Sequence, residues 1–294
     1  MQNNPQMIIK DNKSNPEDLF QYETFTFTEW KTLRDFLFKF NEKPSIRNYC
    51  YRGQSDANWT LKPSVERLYS DSADNFTKEW NKITEKNILN NYKKAFHLFS
   101  ENEFDHRITN SEIDWLSLMQ HHGAATRLLD VSVSPFIACF FALSDVFSNS
   151  DSACIWIIPL DVIDNLNISI LSIKTSDRFK YLYDEYQKLK LGTARGKNII
   201  GYSFLEMPSK RPFLQKGGFL YSMASKKSFS ELLHLYSNKN NITIKKVIFE
   251  KKNKHEIKLA LMDLINMNIS FSTLFPGLDG YTKDLLLREY VTIG

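Results

Sequence analysis

The chain has 294 residues, 42% hydrophobic and 14% aromatic, which is enough to bury a substantial core and excludes wholesale disorder. Its formal net charge of +4 gives no general electrostatic reason to bind nucleic acid. The three cysteines, Cys50, Cys139 and Cys154, form no C-x-x-C pair, which argues against a cysteine zinc site and fits a reducing cytoplasm.

Residues 1–18 are polar, without a basic start running into an apolar stretch, and read as a flexible arm with no signal peptide. Tyr22 to Phe27 alternates aromatic and polar residues, as a half-buried strand does. Thr28 caps a predicted helix over 29–41, with Trp30, Leu33, Phe36, Leu37 and Phe40 on one face. Residues 48–53 read as a strand with Arg52 near its end. Residues 61–64 turn into a short helix. A long helix follows over 75–99, with a stripe that includes Ile83, Ile88, Leu89, Tyr92 and Phe96.

A helix over 112–122 closes at Gly123, a position suited to left-handed backbone. Residues 126–133 are extended. Ser134 and Pro135 then open a buried helix over 136–147. The strongest apolar run, 135–143, is too short to span a bilayer. The continuous apolar run 153–160 predicts an interior strand. Residues 161–200 read as a helical insertion with loops, and 213–223 as a hairpin around Gly217-Gly218. Helices are predicted over 228–237, 255–267 and 281–290, and a strand over 242–249. Strands and helices mix without a βαβ rhythm. That predicts an α+β fold, a mixed central sheet with helical insertions, as a single domain over 19–294.

Three segments carry candidate chemistry. In Tyr51-Arg52-Gly53-Gln54-Ser55 an arginine precedes a glycine at a strand end. Arginine offers a planar fork of donors suited to phosphate, and glycine admits a ligand close to the backbone. A salt-bridged arginine at a turn is the alternative. In the segment 120–130, His121 is either an acid–base group or a helix-end cap. Arg127 and Asp130 read as a structural clasp. Ser132 and Ser134 stand at a helix start, where backbone N–H groups attract anions, and Ser134 also reads as a simple cap.

Other features are less pointed. Lys245, Lys246, Lys251, Lys252 and Lys254 form either a local basic patch or a solvated face. Gly192 to Gly196 is a loop or a lid. His255-Glu256 is not followed by a second His three residues on, and there is neither a Walker A sequence nor a G-x-S-x-G elbow.

Together these segments resemble the bacterial FRG family, named for its Phe/Tyr-Arg-Gly motif. The likeness rests on Tyr51-Arg52-Gly53-Gln54, then Trp59, Leu61, Pro63, Ser64 and Arg67. It continues with Gln120-His121-x-Gly123, Thr126 to Asp130, and Pro135 with Ala138, Phe141 and Ala142. Arg211, Gln215, Gly217 and Phe219 match more weakly, and 274–280 matches the C-terminal signature. Val131 stands where the family usually carries Trp.

A more distant resemblance is to ADP-ribosyltransferases of the Arg-Ser-Glu type. It implies an ADP-ribosyltransferase-like fold with NAD as substrate and no tightly bound cofactor or metal. By position it implies that Arg52, Gly53, Gln54 and Arg127 hold the nucleotide and that Ser132 or Ser134 supports the nicotinamide ribose. Where that group places a glutamate on a later strand, this chain has Arg211 and Gln215, with Glu206 out of register. Gln215 and His121 are then the candidate catalytic groups.

The expectation is a cytoplasmic effector that binds or consumes NAD, as an ADP-ribosyltransferase or NAD glycohydrolase, with a macromolecular acceptor or protein partner. Toxin action or phage defence would be its setting. The alternatives are a non-catalytic module sensing a nucleotide or a protein, and a nucleic-acid-directed effector. Membrane association is not expected.

Overall fold

The computed structural model describes residues 20, 22–41, 49–68, 75–99, 111–174, 177–191, 198–204, 214–222, 227–237 and 244–293. Four of the readings above fall outside them: the arm over 1–18, the loop at Gly192 to Gly196, Glu206 and Arg211.

Aromatic and β-branched alternation makes β1 (Tyr22–Phe27), β2 (Tyr49–Gln54) and β7 (Ile244–Glu250). β4 (Ser152–Pro159) is apolar and buried from Ala153 onward, as suits a strand covered on both faces. β3 (Leu129–Ser132), β5 (Ile200–Phe204) and β6 (Gly217–Ser222) complete one seven-stranded sheet, ordered β1-β7-β4-β2-β3-β6-β5. β1 and β7 are parallel and every other neighbouring pair is antiparallel, so the sheet is mixed as expected.

The helices form layers on this sheet. α1 (Trp30–Asn41), α5 (Pro135–Leu143) and α9 (Lys254–Asn266) cover one face. Trp30, Leu33 and Leu37 of α1 meet Tyr51, Ile155, Ile157, Val247 and Phe249 there. α10 (Phe271–Leu274) and α11 (Leu278–Thr292) close that layer through Leu274 and Leu287. α6 (Leu160–Ile170) and α8 (Phe229–Ser237) cover the other face, against Cys50, Val131, Cys154, Trp156 and Ile158. A third cluster joins α3 (Asn75–Phe99), α4 (Glu112–His121) and α7 (Arg178–Lys190) to Phe219 and Tyr221 of β6. α2 (Ser64–Arg67) is a short turn after Pro63. No described helix is long and apolar enough to cross a membrane.

Three expectations are corrected, and one strand was missed. Gly217 and Gly218 do not turn a hairpin. They lie inside β6, whose antiparallel partners are β3 and β5. A Cβ on Gly218 would lie 2.2 Å from the Phe204 ring, so the glycine serves strand-to-strand contact. β5 itself was not anticipated, although Ile200, Tyr202 and Phe204 alternate. α5 ends at Leu143, four residues early, where Ser144 and Asp145 favour local hydrogen bonds over helix continuation. The lysines 245–254 do not form one patch. Lys246 is buried, with its ammonium 4.6 Å from the Trp156 ring centroid and 5.4 Å from that of Tyr22. Lys251 donates to the Ser55 carbonyl at 2.9 Å.

Candidate functional site

The register of the sheet places the candidate residues. Arg52 on β2 pairs with Trp156 on β4, and Trp156 pairs with Lys246 on β7. Its neighbour Tyr51 pairs with Ser132 on β3. Alternation sends Tyr51 into the α1/α5/α9 layer and Arg52 to the opposite face.

Arg52 Nη1 donates to the Asp130 backbone carbonyl at 2.7 Å and lies 3.6 Å from the Asp130 carboxylate. The Arg52 side chain is 15% exposed and that of Asp130 62%. Arg52 Nε is buried and has no hydrogen-bond acceptor among the described residues. Burial pulls the Arg52 pKa down; Asp130 opposes this, and the positive charge of Arg67 at the end of α2 adds to it.

A polar chain holds Asp130 in place. Gln120 Nε2 donates to Asp130 Oδ1 at 2.7 Å, and the Thr126 hydroxyl donates to Gln120 Oε1. Thr126 N donates to Ser64 Oγ at 2.9 Å, and Ser64 Oγ to the Thr126 carbonyl at 3.1 Å. One network therefore joins β2, β3, α2 and the end of α4.

The other candidates occupy different surroundings. The Cβ that Gly53 lacks would lie 1.9 Å from the Ala138 carbonyl oxygen, so Gly53 admits α5 against the sheet. Gln54 is buried; its Oε1 accepts from the Trp156 indole at 2.6 Å, and its Nε2 donates to the Thr60 carbonyl at 3.1 Å. Arg127 and Asp130 do not share one clasp. Arg127 Nε donates to the Glu85 carboxylate of α3, and Arg127 N donates to the same carboxylate at 2.6 Å. Glu112 lies 3.9 Å from Arg127 Nη1. Burial works against the Arg127 charge, but Glu85 and Glu112 hold its pKa above the ordinary value.

Ser132 and Gln215 are brought together, through the Gln215 backbone. Ser132 Oγ donates to the Gln215 carbonyl at 2.8 Å and accepts from Ser134 N at 3.1 Å. The Gln215 side-chain amide donates to the Leu274 carbonyl at 3.2 Å. Ser134 caps α5, accepting from Ile137 N at 3.4 Å. His121 is exposed at the last residue of α4, with its ring 5.1 Å from that of His122. Cys50 and Cys139 are fully buried, and burial pushes both thiols up, which makes them inert as nucleophiles. Among the described residues no group of His, Cys, Asp or Glu is placed to hold a metal ion.

The segment that carries Arg52, Arg67, Gln120, Asp130 and α5 is also the one with a recognisable relative. Residues 47–151 match the FRG domain. No curated protein and no solved structure matches the chain. The FRG match takes in α2 to α5 with β2 and β3, and thus every member of the Arg52–Asp130 network. Two residues central to the site were missed in the sequence: Glu85 as the partner of Arg127, and Asp130 as the partner of Arg52. Glu85 sits in a run of polar residues on a long helix and gives no local signal. For Asp130, the signal was its place at the end of the second polar segment, facing the arginine of the first.

Proposed function

We propose that this is a nucleotide-binding protein whose FRG segment grips a phosphate of the ligand with Arg52. The observation that carries the reading is the buried Arg52 Nε without an acceptor among the described residues. Buried polar groups are nearly always paired, and an unpaired buried donor costs about 1–3 kcal/mol. Nε belongs to the Nε–Nη2 edge with which arginine binds an oxyanion in two-pronged fashion. An oxyanion there would satisfy the donor and offset the burial of the charge.

The resemblance to Arg-Ser-Glu transferases makes NAD the first ligand to test and suggests a toxin or phage-defence setting. Binding is favoured over turnover. β5 and β6 carry no acidic residue, so neither strand supplies a carboxylate to stabilise a ribosyl cation. The Ser132 hydroxyl is committed to the Gln215 carbonyl, and the Gln215 amide to Leu274.

The test is calorimetric titration of the full chain with NAD, ADP-ribose and AMP, with nicotinamide release followed in parallel. Binding without release is expected. Arg52→Ala should weaken binding by at least about tenfold, the loss of one charge-assisted bidentate contact. Arg52→Lys, which keeps the charge but not the fork, should recover only part of it. Failure of the wild-type chain to bind any of the three nucleotides overturns the reading.

A further inference from the structure

Lys246 lies within β7 and is 4% exposed, a burial that lysine rarely adopts without an acidic partner. Its ammonium stands 4.6 Å from the Trp156 ring centroid and 5.4 Å from that of Tyr22. The rings stabilise the charge, but they accept no conventional hydrogen bond, and an ammonium carries three donors. Among the described residues no carboxylate or other hydrogen-bond acceptor partners Nζ. Sheet register ties this lysine to Arg52. Arg52 faces Trp156 across β2 and β4, and Trp156 faces Lys246 across β4 and β7. Residues directly opposite on neighbouring strands share a face, so the three form one row. With strands about 4.8 Å apart, the two cationic residues start roughly 10 Å apart, with the indole between them. Asp130 stands beside Arg52 Nη1, on the β3 side; the buried Nε has no acceptor among the described residues.

Resting on the Arg52 reading above, we infer that Lys246 is a second oxyanion contact of the same site, and that the ligand is a nucleoside diphosphate, free or esterified, lying across Trp156. A phosphate held by Arg52 Nε occupies one end of the row. A second phosphate joined to it extends along the row toward Lys246, where the ammonium already leans over the indole. One anion then supplies acceptors to both sets of unfilled donors and offsets the burial of two like charges. The division of labour follows from the side chains. Arginine grips one phosphate with a planar edge, and lysine meets the next as a point charge. Lys246 therefore distinguishes a diphosphate from a monophosphate, and Arg52 does not.

The experiment is titration of the full chain, as wild type, Lys246→Met, Lys246→Arg and Arg52→Ala, with ADP-ribose, ADP and AMP. Wild type should bind ADP-ribose and ADP more tightly than AMP. Lys246→Met keeps an unbranched stem against the rings and should lose about tenfold on ADP-ribose and ADP but nothing on AMP. Lys246→Arg returns a cation to the rings and should recover part of that loss. A second readout does not depend on how the variants fold. In wild type labelled with nitrogen at lysine Nζ, the Lys246 magnetic-resonance signal should shift with ADP and stay in place with AMP. Equal losses on ADP and AMP, or a Lys246 signal unmoved by ADP, overturn the inference and leave Lys246 as a packing residue of the aromatic cluster. If Arg52→Ala weakens all three ligands while Lys246→Met weakens none, the Arg52 reading stands and this one falls. Absence of binding by wild type overturns the nucleotide reading itself.

Discussion

Gly53 and Arg52 are neighbours on β2 and serve opposite layers of the molecule. Arginine points its guanidinium toward Asp130; the missing Cβ of the glycine points at α5. Added there, a Cβ would lie 1.9 Å from Ala138 O and 2.8 Å from Ala142 N. Both atoms belong to helix backbone, so relief would require moving α5, whose residues are all buried except Phe141. Gly53→Ala should destabilise the protein by about 3 kcal/mol, at the severe end of overpacking. A denaturant midpoint unchanged from wild type would show that α5 can retreat without loss. The strand glycine was legible as special in the sequence, but not the reason for it. Close approach of a helix and close approach of a ligand ask for the same residue, and a single sequence cannot separate them. Gln54 misleads in the same way. Its side chain is a polar tie to Trp156, which lies 102 residues away, a pairing no local pattern announces.

Among the elements, α6, α7 and β5 are joined by one half-buried polar cluster. Asp164 of α6 accepts from the Tyr186 hydroxyl at 2.7 Å and the Tyr202 hydroxyl at 2.9 Å, while Asn167 donates to the Tyr186 oxygen at 2.6 Å. Burial raises the Asp164 pKa above its ordinary 3.8, and the two tyrosine hydrogen bonds only partly counter it. A carboxyl whose folded pKa is raised contributes stability below its unfolded value, and that contribution is lost as pH rises through the folded value. Wild type should therefore lose stability relative to Asp164→Asn as pH is raised from 3.8 toward neutrality. Paired denaturant titrations across that range check it. A constant difference between the two proteins would mean that the carboxyl has the same pKa folded and unfolded.

These elements also mark where sequence patterns stop informing. β1, β4 and β7 follow from alternation or continuous apolar runs, and the long α3 follows from its stripe and its length. β6 does not, because Gly217 and Gly218 carry the composition of a turn while lying in a strand crowded by Phe204. The clasp on Arg127 was also out of reach, since Glu85 lies 42 residues away on a separate helix. The arginine and its two segments were visible; their pairing depended on sheet register.

The whole molecule decides whether the FRG segment can stand alone. Residues 47–151 contain only β2 and β3 of the seven strands, and both are interior. Between these two, only Tyr51 and Ser132 are in register. The main partner of β2 is β4, where every residue from Tyr49 to Gln54 finds a counterpart between Cys154 and Pro159. β3 is paired along its length with β6. Both partners lie beyond residue 151, as does α9, which packs on the apolar α5. Excision would expose two strand edges and one face of an almost wholly apolar helix, which is a recipe for aggregation. The isolated fragment 47–151 should show no cooperative thermal transition, whereas the full chain should melt in a single step followed by circular dichroism. A cooperative melt from the fragment would mean that β2 and β3 can find a second way to pair. The Arg52–Asp130 geometry would then have to be sought in that fragment rather than in the seven-stranded sheet.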